Sequence, residues 1–298
     1  MNYPEQNPSN KSLNRDEQAR QARCWRETGG QQSLAGFDLA GQDLSVIDLA
    51  GADLSGVNFR ATVLAGANLS GAYLPRADLS QAMLEDINLD TAHLVKADLS
   101  QANLHEASLI RANLSGATLR MANLSEAMLL GASLVEADLR LASLRQANFK
   151  GVDFSGANMG GAVMVETRLA GATLQGAKNL AGAFLSQANL SRANLTKLNM
   201  AGAYLGQALL MEAILSQINL AGAFLSQANL TRADLTQANL AGAFLSQAIL
   251  RGANLRGAVL RGAILTGANL LETELSEADL TGADLTGTLL PDDWRSND

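Results

Sequence analysis

A leucine, phenylalanine or methionine stands at every fifth residue from Leu39 to Leu174. After a slip of one residue the beat resumes at Leu180 and runs to Leu290. A period of five matches neither the 3.6-residue face of an α-helix nor the two-residue alternation of a strand. Self-similarity this strict requires a repeat architecture, in which one small unit is stacked many times.

The unit can be read position by position. Two residues before each beat residue the chain is usually Ala, as at Ala67, Ala77, Ala97, Ala228 and Ala253. Between them stands Asp or Asn, as at Asp78, Asp98, Asn113 and Asn229. In an extended segment alternate side chains face opposite ways, so the Ala and the beat residue point inward and the Asp or Asn outward. The two remaining positions are polar or Gly, and 23 of the 27 glycines occupy the second of them. Such a preference predicts a positive φ, as at the third residue of a type II turn. Each pentad thus reads as three extended residues and a corner. Four corners close a coil of about 20 residues, and AGAFLSQANL at Ala181 returns in close variants at Ala201, Ala221 and Ala241. At the β spacing the whole stack, roughly 13 coils, would be about 60 Å long.

The repeated Ala-[Asp/Asn]-Leu-x-x unit closely resembles that of the pentapeptide-repeat family. The resemblance implies an all-β fold, a right-handed quadrilateral β-helix solenoid, over about residues 35–290. The expected organisation is a single solenoid domain. Residues 1–30 form a disordered start and a capping helix over about 14–28, residues 31–290 the β-helix, and residues 291–298 a C-terminal tail or cap. The extra residue in Gly176-Ala177-Lys178-Asn179-Leu180 reads as a one-residue bulge at a corner near 177–179, because the outward series Asn158, Asn179, Asn199, Asn219 continues across it. Asn14 supplies the helix cap, Asp16 and Glu17 its acidic first turn, and Gly29-Gly30 its end. Trp25 at one end and Trp294 at the other are the apolar residues suited to cover the open coils.

Composition narrows the setting. Cys24 is the only cysteine, so an intramolecular disulfide is excluded. The first ten residues lack the apolar stretch of a signal peptide, and no run of 18 apolar residues occurs, so a cytoplasmic protein with no membrane association is expected. The net charge of −7 is uneven. Residues 181–271 carry six basic and two acidic side chains, a local +4, followed by an acidic end.

No catalytic, cofactor or metal constellation is legible. His93 and His105 stand 12 residues apart, with no ligand set recognisable beside either. The serines sit mostly at corners with no base placed to activate them, and the glycines never form a phosphate-cradling loop. The expectation is a protein that is not an enzyme and needs no cofactor.

The surface pattern says more, because residues 20 apart should stack. Asp38, Asp78, Asp98 and Asp138 fall in one acidic ladder, whose Asn members can hydrogen-bond along the stack. Phe184, Tyr204, Phe224, Phe244 and Ile264 fall in another, extended by Leu209 and Ile249 and edged by a row of glutamines. Stacked rings can tie coils together. An exposed apolar stripe with a polar rim also suits docking to a protein partner, which the sequence leaves unidentified. The first functional reading is a rigid protein–protein interaction or regulatory module. Two others stand beside it. Some members of the resembled family protect DNA gyrase by imitating duplex DNA, a role that needs sustained negative charge, and an inert spacer would need no partner. Nucleic-acid binding is not expected at this charge. Monomer and end-to-end homodimer both remain open.

Overall fold

The computed structural model describes residues 13–292, and Trp294 lies outside them. The chain falls into two compact units, the first ending at Ala147 and the second beginning at Asn148. Apart from one short helix, the described residues repeat a bridge residue, two flanking extended residues and a two-residue turn. Every bridge is parallel, and within each unit it joins residues 20 apart except around one bulge. The first unit therefore carries four ladders, which begin Asp38–Asn58, Asp43–Val63, Asp48–Asn68 and Asp53–Tyr73.

The expected in/out phase is what the structure adopts. Beat residues such as Leu69, Leu99, Leu124, Leu205 and Leu240 are completely or almost completely buried, as are the alanines two positions before them. Phe149 and Phe154 fill the same inward role with ring centroids 5.2 Å apart.

The corners explain the glycine preference and also its limits. Each corner is closed by a turn hydrogen bond from the inward residue after it to the beat residue before it, for example from Ala52 N–H to the Leu49 carbonyl at 3.0 Å. The third turn residue has a positive φ, 73° at Gly51, as a type II turn demands. Yet non-glycine residues hold this position more often than glycine does, among them Val46, Gln81, Glu106 and Arg192 with φ between 54° and 60°. Each costs roughly 1–2 kcal/mol of steric strain relative to a relaxed backbone. The stack imposes the corner and the residue follows.

The slip in the beat is a bulge, but it does not lie at a corner. The turns flanking it are Gln175–Gly176 and Ala181–Gly182, and the extra residue sits between them on an extended side. Lys178 makes the backbone bridge to Asn158, while Asn179 takes a φ of 61° and sends its Nδ2 to Asn158 Oδ1 at 2.9 Å. One residue keeps the backbone ladder and its neighbour the side-chain ladder. Bridges spanning the bulge join residues 21 apart, as in Val163–Phe184, and the register returns to 20 at Phe184–Tyr204.

The helix, α1, spans Arg15–Arg23, shorter than the expected 14–28. Asn14 and Glu17 form a capping box, each side chain accepting from the other's backbone N–H at 2.9 Å. Beyond Arg23 the chain tightens, with Trp25 N–H reaching the Ala22 carbonyl, and this turns Trp25 inward. Trp25 is buried and its indole N–H donates to the Gln32 carbonyl at 2.8 Å. Gln18 Oε1 accepts from Asp38 N–H, a donor whose counterparts in later coils bond to the carbonyl 21 residues back. A helix side chain thus stands in for the missing preceding coil. Arg15 and Arg26 add ion pairs to Asp38 and Asp48. At the far end Leu275, Leu280, Leu285 and Leu290 are only half-buried.

Two substitutions test this account. Leu124→Asp places a charge in a fully buried site and should cost about 3 kcal/mol or more, whereas Asn123→Asp should be tolerated, as chemical denaturation will measure. Val46→Gly should raise stability by about 0.5–1 kcal/mol, because an exposed β-branched residue at a φ of 54° exchanges steric strain for the smaller entropic cost of glycine.

Candidate functional site

The outward position of each pentad decides what the surface presents, and its usual Asp or Asn has a definite structural task. Asn68 Oδ1 accepts from Ser70 N–H, Asp78 Oδ1 from Ser80 N–H, and Asn239 Oδ1 from Ala241 N–H, at 2.9–3.2 Å. The side chain thereby satisfies the one corner amide that no neighbouring coil reaches. Asn has a second use, since its Nδ2 can donate along the stack. Asn219 donates to Asn199 and Asn239 to Asn219 at 3.0 and 3.1 Å.

Against this background the aromatic ladder of the second unit stands out. Phe184, Tyr204, Phe224 and Phe244 stack with centroids 5.0, 4.8 and 4.8 Å apart and planes within 9° of parallel. All four remain 36–46% exposed. Their bridges continue to the half-buried Ile264. A ring cannot accept the corner N–H as Asn does, so this ladder forgoes a cap worth about 1 kcal/mol per coil. One corner beside the rings is Ala-Gly, at Ala201-Gly202, Ala221-Gly222 and Ala241-Gly242. The other carries Gln187, Gln207, Gln227 and Gln247, joined amide to amide at 2.8–3.0 Å. Leu209 and Ile249 lie in the next ladder, both exposed, but Asn229 separates them. They adjoin the stripe as two single side chains, not as a second row.

The acidic ladder is differently occupied. Asp38 pairs with Arg15, and Asp138 forms a forked contact with Arg140 that holds its carboxyl below the usual range. Asp78 and Asp98 adjoin in the ladder, and Asn58 and Thr118 interrupt the series. The basic stretch of the second unit is also answered in space. Arg251, Arg256 and Arg261 pair with Glu272, Glu277 and Asp279 of the following coil, and Arg192 with Glu212. Exposed pairs of this kind contribute little to stability, but they erase the charge block seen in the sequence.

The histidines separate. His93 sits beside Tyr73, with ring centroids 5.8 Å apart. His105, at a corner, is brought within 4.8 Å of both Glu106 and Glu126 through their ligand atoms. Sequence spacing to Glu126 conceals this, though adding 20 to 106 would have revealed it. Among the described residues no helix is long and apolar enough to cross a membrane.

The carboxylate caps carry a pH signature. Asp279 is held down to about 2 by the Thr281 hydroxyl, then the Thr281 N–H, then Arg261. Asp284 is lowered by the Thr286 hydroxyl and N–H. A carboxyl depressed on folding contributes stability that is complete above its unfolded value of 3.8 and disappears as pH falls through about 2. Melting temperature should therefore drop between about pH 4 and pH 2, and Asp279→Asn, which keeps a cap oxygen but no charge, should lose less across that window.

Several solved structures show similarity to this chain. HetL, a pentapeptide repeat protein involved in heterocyst differentiation regulation from the cyanobacterium Nostoc sp. strain PCC 7120, is 29% identical over 95% of this chain and 100% of its own, with a TM-score of 0.34. Rfr23 from the cyanobacterium Cyanothece 51142 is 37% identical over 35% of this chain and 60% of its own, with a TM-score of 0.17. QnrB1, a plasmid-mediated fluoroquinolone resistance protein, is 20% identical over 76% and 90%, with a TM-score of 0.27. These superpositions are loose and carry no argument. A comparison with curated protein sequences gives no match. The family model for pentapeptide repeats, however, matches in eight copies between residues 43 and 290. The chain belongs to the pentapeptide-repeat family.

Proposed function

We propose that this protein is a non-enzymatic interaction module, built as a right-handed quadrilateral β-helix of about 13 coils, that docks a protein partner on the Phe184–Phe244 stripe. The observation carrying the proposal is the substitution of rings for caps. Asn in this ladder would satisfy the corner amide and bond along the stack, as Asn199, Asn219 and Asn239 do in a neighbouring ladder. The rings give up the cap and leave apolar edges in water. Stacking offsets part of that loss, at about 0.5–1.5 kcal/mol per pair, without accounting for the exposure.

The stripe also specifies the chemistry of what it meets. Between residues 181 and 249 the charged side chains are Arg192, Lys197, Glu212, Arg232 and Asp234, and none lies on the ring ladder or on the corners beside it. A charged partner surface would be desolvated there with nothing to pair with. The partner surface is therefore flat, apolar and uncharged at its centre, with polar groups at one edge to meet the Gln187–Gln247 row. Imitation of DNA is the weaker reading, because the acidic ladder is interrupted and partly ion-paired. Spacer and module alike are compatible with the fold, and only the module gives the exposed rings a use.

The test places a photo-crosslinking residue at Gln227, beside the rings, and at Asn239 in another ladder. The captured protein is then purified and its affinity measured for the wild type and for Tyr204→Ser/Phe224→Ser. Crosslinks should form from position 227 and not 239, and the double variant should bind at least about tenfold more weakly while keeping its circular dichroism. Equal affinity, or crosslinks confined to position 239, would overturn the assignment.

A further inference from the structure

The column of corner residues that includes His105 lies in the first unit, away from the aromatic stripe. Its successive coils supply Glu85 and Asp86, then His105 and Glu106, then Ser125 and Glu126. Asp86, Glu106 and Glu126 all occupy the positive-φ corner position, with φ of 54°, 59° and 64°, so their side chains leave the backbone in the same way, one coil above another. Among the described residues, the ion pair formed by this column is between His105 and Glu106. Two of these carboxylates, Glu106 and Glu126, come within 4.8 Å of the His105 ring nitrogens.

The imidazole is oriented by a group outside the carboxylate cluster. Its Nδ1 lies 3.0 Å from the Ser125 carbonyl oxygen of the next coil. A carbonyl can only accept, so Nδ1 carries a hydrogen. In the neutral ring the lone pair then sits on Nε2, which faces Glu106 Oε1 at 3.5 Å. With that lone pair free, Nε2 and the Glu106 carboxylate can share a cation. A backbone carbonyl holding the far nitrogen is also the arrangement that fixes metal-binding histidines in the correct tautomer.

We propose that His105 Nε2 and the carboxylates of Glu106 and Glu126 bind a divalent first-row transition cation, Zn²⁺ being the best fit. Their ligand atoms lie within 4.8 Å of one another, so small side-chain rotations bring all three to the roughly 2.0–2.2 Å that Zn–N and Zn–O bonds require. The imidazole nitrogen selects against Ca²⁺ and Mg²⁺, which favour sets made wholly of oxygen. Solvent completes the coordination. Because His105 and Glu106 belong to one coil and Glu126 to the next, the ion joins successive coils as a staple.

The chain has only two histidines, so His93 is an internal control. Tag-free full-length protein is titrated calorimetrically with Zn²⁺, with Ca²⁺ in a parallel arm, and melting temperature is recorded with and without each ion. Zn²⁺ should bind at a single site and raise the melting temperature. His105→Ala and Glu126→Gln should each weaken binding at least about tenfold while folding normally, and His93→Ala should bind as the wild type. The proposal is overturned if Zn²⁺ does not bind, or if binding survives both substitutions or depends on His93. It is equally overturned if Ca²⁺ binds as tightly as Zn²⁺ and His105→Ala leaves both unchanged, which would make the column an acidic patch only.

Discussion

Each pentad has five backbone N–H groups, and the structure depends on how they find acceptors in the turn and in the coils on either side. Around Leu69 the accounting is complete. Asn68 N–H goes to Ile47 of the preceding coil, while Leu69 and Gly71 N–H go to Asn88 and Asp90 of the following one. Ser70 N–H goes to Asn68 Oδ1, and Ala72 N–H closes the turn onto Leu69. Three donors are satisfied by stacking, one by the turn and one by a side chain. The family signature can be read from this list. Leu and Ala fill the interior, Asp or Asn supplies the missing acceptor, and a positive φ aims the corner amide at the next coil. Where a coil has no predecessor, Gln18 of α1 supplies an acceptor in its place.

Much of this was legible in the sequence because its period is unambiguous. The beat, its inward phase, the corner glycines and the stacking of residues 20 apart all follow from position within the pentad. The rings of Phe184, Tyr204, Phe224 and Phe244 meet as arithmetic places them. What escaped reading is what depends on competition between neighbours. The outward Asn was legible as a member of a ladder, but its oxygen serves two donors, the N–H of its own corner and the Nδ2 of the next Asn in the ladder. Asn179 continues the Asn series and so points to a corner for the bulge, whereas the backbone uses Lys178 for the bridge. The helix stops at Arg23, before its glycines, because burying Trp25 requires the chain to turn early.

Charge is the property for which linear order misleads most. The basic stretch and the acidic end of the second unit read as opposing blocks, but a 20-residue coil lays one against the other. Arg251 meets Glu272 and Arg256 meets Glu277, so the blocks become pairs. The same folding of sequence distance brings Glu126 to His105. Surface chemistry in such a protein belongs to columns, and each column samples the sequence once per coil.

The bulge at Lys178–Asn179 bears on how such a chain can lengthen during evolution. Adding or removing a whole coil leaves every column in phase, and adding one pentad shifts all later side chains round by a single side. A lone inserted residue would be expected to throw every later leucine out of the core. Here it does not, because backbone and side-chain ladders divide the extra residue between them and the beat resumes at Leu180. An extended side can therefore absorb a reading error of one codon. The surface columns on its far side keep their order, and the pattern tolerates a kind of mutation that its strict period would appear to forbid.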